Sequence, residues 1–130
     1  MEFFAADYVV LIVNDLDRSL AFYTGRLGLQ LNHRVDAYAQ LATGRTRIAL
    51  YQREAMAETL GRPLSAPDPD APSFELGFKV EDVDAAYDEL VEAGVPSVIE
   101  PTTRPWGQRT AYLRDPDGYL IELAQDPEPR

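Results

Sequence analysis

Two stretches of the chain repeat the same order of apolar and polar positions. The first begins with the apolar run YVVLIV at 8–13 and continues as NDLDRSLAFYTGRLGLQL; the second begins with FELGFKV at 74–80 and continues as EDVDAAYDELVEAGVPSV. Their alignment pairs Asp15 with Asp82, and each half closes on a short apolar strand, IAL in the first and IEL in the second. Such an internal repeat predicts two copies of one structural unit.

A helix is predicted after the first strand of each half. Asp15 and Asp82 are the expected N-cap residues, because their carboxylates can accept hydrogen bonds from the first free backbone amides. Apolar residues then recur at helical spacing. They are Leu16, Leu20, Tyr23 and Leu27 in the first half, and Val83, Ala86, Tyr87, Leu90 and Val91 in the second. Glycine is predicted to end each helix, at Gly25 and Gly28 in the first half and at Gly94 in the second.

Three further strands are predicted after each helix, so that each half is a β-α-β-β-β module and the fold class is α+β. The strands span about 29–35, 36–42 and 46–52 in the first half, and about 96–100, 108–114 and 119–124 in the second. The first module takes residues 1–53 and the second 73–130, within one structural domain. Between them lies the segment 54–72, which combines the helix-forming run EAMAETL with four prolines and is predicted to be a linker. A turn is predicted at DPDG, residues 115–118.

Strand alternation divides each sheet into a dry face under the helix and a mixed face opposite it. The mixed face gathers four of the seven tyrosines together with two glutamates and a glutamine. These residues are Tyr8, Tyr38, Tyr51, Tyr112, Glu75, Glu122 and Gln108. The only tryptophan, Trp106, lies in the loop PTTRPWGQ that leads to this face. The pattern therefore predicts a curved, aromatic surface that bears carboxylates.

Composition narrows the possible functions. The chain has 130 residues, a formal charge of −10, 45% hydrophobic residues and no cysteine. That size can bury a real core, and the lack of cysteine excludes thiol catalysis, thiolate metal sites and disulfides. Nucleic acid is not expected as a partner, because binding phosphate needs a positive field, whereas a cationic ligand is compatible. With no apolar run near the ~20 residues of a membrane span and no signal-peptide pattern, we expect a cytoplasmic protein without a membrane partner.

No arrangement typical of nucleophilic catalysis or phosphate binding is visible in the sequence, so no catalytic residue is predicted. His33, the only histidine, is expected to be a surface residue. Lys79 is expected to neutralise Glu75, and Arg47 to bind the hydroxyl of Tyr51.

The chain resembles the vicinal oxygen chelate superfamily, which groups glyoxalases, ring-cleaving dioxygenases and bleomycin-type resistance proteins. The segments that carry the resemblance are VNDLDRSLAFYTGRLGL, VEDVDAAYDELVEAGV and WGQRTAYLRDPDGYLIEL, and with the module order it covers nearly the whole chain. The resemblance implies an open half-barrel, in which a curved mixed sheet carries the helices on its convex face. It also implies a homodimer whose ligand cups are completed by both chains.

By the same resemblance, the ligand positions of the family's metal enzymes fall here on Tyr8, Glu75 and Glu122, and a further glutamate of glyoxalases falls on Ala49. The arginine with which glyoxalases hold a glutathione carboxylate is matched by Ile12. Metal sites of this kind normally combine imidazole with carboxylate, and a neutral tyrosine is a poor ligand because its pKa is near 10. A glyoxalase reaction is therefore not expected.

The leading hypothesis is a small-molecule binder that resembles the metal-free, drug-binding resistance members of the family. It would sequester a planar, cationic natural product or antibiotic without a cofactor, because aromatic faces attract cations and stack on flat rings. The expected contacts are Tyr8, Tyr38, Tyr51, Glu75, Trp106, Gln108, Tyr112 and Glu122. Two alternatives stay open: a lyase, isomerase or dioxygenase that binds a divalent metal through Glu75 and Glu122, and a metal-free biosynthetic accessory enzyme.

Each candidate group also has a simpler explanation. The tyrosines can pack at a subunit interface, Trp106 can plug its own loop, and Glu75 and Glu122 can be hydrated surface groups. The sequence also leaves open whether the two modules pair within one chain or exchange between two chains.

Overall fold

The computed structural model describes residues 1–128. The chain divides into two compact units, Met1–Ala66 and a second that begins at Pro67. Each unit contains one β-α-β-β-β module with a four-stranded mixed sheet. The predicted α+β class and the repeated module are therefore confirmed.

The sheet of the first unit has the strand order β1-β4-β3-β2, with β1 parallel to β4 and the other neighbours antiparallel. Its strands are β1 (Tyr8–Val13), β2 (Gln30–Val35), β3 (Tyr38–Ala42) and β4 (Arg47–Gln52). Helix α1 (Leu16–Ala21) follows β1, and helix α2 (Arg53–Leu60) follows β4. Asp15 caps α1 as predicted, because its Oδ1 accepts a hydrogen bond of 3.1 Å from the backbone amide of Arg18.

The end of the first helix differs from the prediction. After α1 the chain continues as a π-helical turn, Phe22–Arg26, so Gly25 lies inside the turn and does not end the helix. Gly28, with φ of 71°, is the residue that takes the left-handed conformation beyond it. Phe22 and Tyr23, the first two residues of this turn, are both buried in the core. The predicted apolar stripe did not include Phe22.

The second unit repeats this plan with the strand order β5-β8-β7-β6, and β5 is parallel to β8. Its strands are β5 (Glu75–Lys79), β6 (Ser97–Thr103), β7 (Arg109–Arg114) and β8 (Leu120–Gln125). Helix α3 (Val83–Glu92) follows β5, and Asp82 caps it through a bond of 3.1 Å from the amide of Ala85. Within residues 1–128, none of the helices has the length and hydropathy that a membrane crossing requires.

The core of each unit lies on the sheet face that alternation assigns to the helix. Leu11 and Leu50 in the first unit, and Leu113 and Ile121 in the second, are almost fully buried. The opposite face of the first sheet is less exposed to solvent than predicted. At its centre lie Gln40 and Ala49, which are register partners on β3 and β4 and are both buried.

Hydrogen bonds hold the proline-rich segment 54–72 near both of its ends. Just before the segment, the guanidinium of Arg53 donates to the carbonyl of Ile12 at 2.9 Å and so fixes α2 beside β1. At its end, the carbonyl of Pro69 accepts from Arg114 Nη1 at 2.6 Å. The ring of Pro69 lies directly against Gly118 in the DPDG turn.

Candidate functional site

An open cleft of about 430 Å³ lies on the second unit, on the sheet face opposite the buried side chains of Ile121 and Leu123. We call it the acidic cleft. Its lining residues are Glu75, Val98, Ile99, Arg104, Trp106, Tyr112 and Leu120. Its volume falls in the range of small-molecule sites, which runs from roughly 300 to 1,000 Å³.

The strand register determines which polar side chains lie at the acidic cleft. Gly77, Glu122, Tyr112 and Ile99 are successive partners across β5, β8, β7 and β6, and partners in register share a sheet face. A side chain at Gly77 would bring its Cβ within 3.3 Å of Glu122 Oε1. The glycine therefore leaves the space that the carboxylate of Glu122 occupies.

Tyr112 and Glu122 form a hydrogen-bonded pair beside the cleft. The Tyr112 hydroxyl donates to Glu122 Oε2 at 2.7 Å. This hydrogen bond, then burial and the negative charges of Glu122 and Glu75, raise the pKa of Tyr112 to about 12. The phenol therefore stays protonated at neutral pH and remains a donor.

Glu75 begins β5 at the edge of the same cleft. Burial, and then the negative charge of Glu122, raise the pKa of the Glu75 carboxyl above its usual value. Within residues 1–128, neither Glu75 nor Glu122 forms an ion pair. The two carboxylates thus repel each other, and a ligand cation placed between them would relieve that repulsion.

Two predicted side-chain partners, one of Lys79 and one of Arg47, are wrong. Lys79 pairs with Asp126 instead of Glu75, because it lies at the far end of β5 from Glu75 and beside the end of β8. Arg47 donates to Gln40 Oε1 at 3.2 Å instead of to Tyr51, whose hydroxyl bonds Thr59 Oγ1 at 3.1 Å.

Trp106 lies at the tip of the connection between β6 and β7. The turn is closed by backbone bonds from Arg104 to Gln108 and from Gly107 to Arg104, and it leaves the Trp106 side chain 69% exposed. Its indole Nε1 donates to Gln108 Oε1 at 3.3 Å, and Gln108 in turn donates to Asp126 at 3.1 Å. Gln108 therefore does not line the acidic cleft but orients the indole that does.

The three tyrosines predicted on the first unit form two groups. Tyr38 and Tyr51 are partners in register and contact edge to face, with ring centroids 6.0 Å apart. Tyr8 is the register partner of Arg47, four residues along β4 from Tyr51, or roughly 13 Å away at ~3.3 Å per residue. His33 is exposed as predicted, with its ring centroid 6.0 Å from that of Tyr38.

Four residues of the acidic cleft lie outside the predicted set, which are Val98, Ile99, Arg104 and Leu120. Strand β6 extends further than predicted and carries two register shifts, so the alternation of its side chains is interrupted and could not be followed from the sequence. Arg104 stands two residues from Trp106 in the loop PTTRPWGQ, and that neighbourhood is the sequence feature by which it could have been found.

The residues at the family's metal positions do not fit a metal site of the family type. In the part of the chain that the structure describes, no three histidine, cysteine, aspartate or glutamate side chains converge. Tyr8 and Ala49 occupy two of the matched positions, and Glu122 accepts the hydrogen bond of Tyr112. Two carboxylates alone are a weak donor set for the metals that such enzymes use.

A comparison with protein families agrees with the repeated β-α-β-β-β module. The sequence model of the Glyoxalase/Bleomycin resistance protein/Dioxygenase superfamily matches residues 5–123, and the chain belongs to this superfamily.

Particular relatives cover most of the chain. The uncharacterized protein YraH of Bacillus subtilis is 44% identical over 117 residues, which span 87% of this chain and 91% of that protein. The bleomycin resistance protein of Geobacillus stearothermophilus is 30% identical over 125 residues, which span 87% and 90%. A solved glyoxalase/bleomycin resistance protein/dioxygenase from Nocardioides matches with a TM-score of 0.81 and 26% identity, over 100% of this chain and 88% of that one.

Proposed function

We propose that this protein binds a planar, cationic small molecule in the acidic cleft and protects by sequestering it unchanged. The observation that carries the proposal is the pairing of two mutually repelling carboxylates, Glu75 and Glu122, with the exposed indole of Trp106. A flat cation satisfies both features, because its charge is attracted to the carboxylates and its ring can stack on the indole.

The expected energetics agree with a binding role. A cation over an aromatic face contributes about 0.5 to 2 kcal/mol, with the larger values where water is excluded. The formal charge of −10 adds a long-range field that raises the encounter rate with a positive ligand. Aromatic contact and charge attraction are therefore sufficient for binding, and no catalytic residue is required.

Similarity to a bleomycin resistance protein at 30% identity supports a role in drug resistance, for which we propose sequestration as the means. The homodimer expected from the family resemblance, and a cytoplasmic location, are part of the same proposal. A two-fold dimer is the commonest state of soluble oligomers, which adds weight to that expectation.

The test is a titration with N-methylquinolinium, a planar probe with a permanent positive charge, alongside bleomycin-like, mitomycin-like and quinoxaline-like compounds. We expect the fluorescence of Trp106, the only tryptophan, to be quenched by N-methylquinolinium and by at least one of these compounds. A neutral methylquinoline of the same size should bind about tenfold more weakly, since it lacks the charge. Mass spectrometry should recover each bound compound unchanged.

Two results would overturn the proposal. One is the absence of any fluorescence change across the whole set of compounds. The other is stoichiometric metal in the purified protein after dialysis, measured by elemental analysis, which would favour an enzyme that uses Glu75 and Glu122 as ligands.

Affinity for N-methylquinolinium should fall as the pH is lowered. Because the pKa of Glu75 is raised, its carboxyl takes up a proton at a higher pH than a free glutamate does. The neutral carboxyl no longer attracts the cation, so affinity is full well above this raised pKa and is lost as the pH falls through it. Since the probe has a permanent charge, the titration between about pH 7 and about pH 4 reports the protein alone.

The matched variants isolate Glu75 from the general acidity of the chain. We expect Glu75→Gln to weaken binding about tenfold at neutral pH and to flatten the pH profile. Glu92 is an exposed glutamate on α3, and Glu92→Gln should change neither the affinity at neutral pH nor the pH profile. A pH profile that Glu75→Gln does not alter would contradict the assignment.

A further inference from the structure

Arg104 is the cation among the residues that line the acidic cleft, where the carboxylate of Glu75 is the one negative group. Its Nε donates to Thr110 Oγ1 at 2.8 Å, and Thr110 is fully buried. Its guanidinium carbon lies 5.8 Å from the centroid of the Tyr112 ring. The guanidinium is therefore anchored on one side and stacked on a partly buried ring, and both contacts restrict its position.

The Nη atoms of the Arg104 guanidinium are available to a ligand. In the described part of the chain, Arg104 forms no ion pair, and its Nη atoms make no hydrogen bond to protein. Arg109 differs, since it is bound by both carboxylate oxygens of Asp84. An anchored guanidinium with free Nη donors is preorganised for a planar oxyanion, which it can bind through two parallel hydrogen bonds.

Arg104 and Glu75 line one cleft with opposite charges and do not pair with each other. Both act on the phenol of Tyr112, because the charge of Glu75 raises its pKa and that of Arg104 lowers it. Tyr112 therefore stands within reach of a negative and a positive group. A ligand that carried only positive charge would gain from Glu75 and be repelled by Arg104.

We propose that the acidic cleft is specific for planar zwitterions, with a cationic nitrogen facing Glu75, an oxyanion such as a carboxylate bound by Arg104, and the flat ring against Trp106. This inference rests on the proposed function and narrows its ligand class. It makes Arg104 a specificity-determining residue, since it selects among planar cations by their second charge.

The test compares N-methylquinolinium with its ring carboxylates, a set of isomers that share the flat cation and add one carboxylate at different positions. In calorimetric titrations of the full chain, we expect at least one isomer to bind about tenfold more tightly than the plain cation. Arg104→Met keeps an unbranched side chain over Tyr112 and removes the charge. It should abolish the preference for the carboxylate isomers and strengthen binding of the plain cation, because the charge that repels this cation is removed. Arg104→Lys should retain part of the preference.

The outcomes separate this inference from the proposed function. If the plain cation binds as tightly as every carboxylate isomer, and Arg104→Met changes all affinities alike, the inference is overturned and the binding function stands. If neither the cation nor any zwitterion binds, the proposed function itself fails. Circular dichroism of both variants must match the wild type, and the Arg104→Lys series gives the answer if Arg104→Met does not fold.

Discussion

Replacement of Trp106 by alanine is expected to weaken binding of N-methylquinolinium about thirtyfold or more while leaving the fold intact. The indole is 69% exposed and is held by a single side-chain hydrogen bond, to Gln108, so its removal costs the folded protein little. In the complex it would become a buried aromatic contact of the kind that dominates interface energies. Loss of such a contact costs about 2 kcal/mol or more, which corresponds to that factor in affinity.

Two control variants make this prediction specific. Trp106→Phe keeps a flat ring and should retain most of the affinity. Phe74→Ala removes another exposed aromatic of the second unit, one that contacts Tyr119 outside the acidic cleft, and should leave binding unchanged. The measurements are calorimetric affinity and thermal unfolding for each variant. Wild-type affinity in Trp106→Ala, or an equal loss of affinity in Phe74→Ala, would contradict the assignment of Trp106 as a ligand contact.

Local patterns in the sequence were sufficient to predict the framework of the fold. The caps at Asp15 and Asp82 depend only on the few residues that follow each aspartate, and both were predicted. The same holds for the turn at 115–118, where Gly118 takes φ of 87° and its amide bonds the carbonyl of Asp115. Features set by contacts within a few residues can be found without knowledge of the fold.

The acidic cleft could be predicted only in part, because its composition depends on departures from regular structure. Glu75 and Tyr112 lie on strands whose alternation is regular, and both were predicted and line the cleft. Ile99 and Arg104 come from β6 and the turn after it, where two register shifts break the period of two. Asp126, which pairs with Lys79, lies beyond the predicted end of the last strand. These features follow from tertiary pairing, which a single sequence does not display.

Substitution of Gly118 by alanine is expected to destabilise the second unit by about 2 to 5 kcal/mol. Two independent costs add up to this value. At φ of 87° any residue with a Cβ is strained, which costs about 1 to 2 kcal/mol. The new Cβ would also lie 2.7 Å from Pro69 Cγ and 3.1 Å from Pro69 Cβ, and overpacking of this kind costs about 1 to 3 kcal/mol.

A matched glycine separates the two costs. Gly94 has a similar φ of 93° and lies in the same unit, but a Cβ there would meet no atom within 4 Å. Gly94→Ala should therefore cost only the backbone strain, about 1 to 2 kcal/mol. Urea denaturation followed by circular dichroism measures the free energy of unfolding of both variants.

The difference between the two glycine variants measures how firmly the proline-rich segment is held on the DPDG turn. Pro69→Ala removes the ring carbon that collides, so adding it to Gly118→Ala should recover much of that difference in a double-mutant cycle. If Gly118→Ala costs no more than Gly94→Ala, the loop yields freely and is not anchored there.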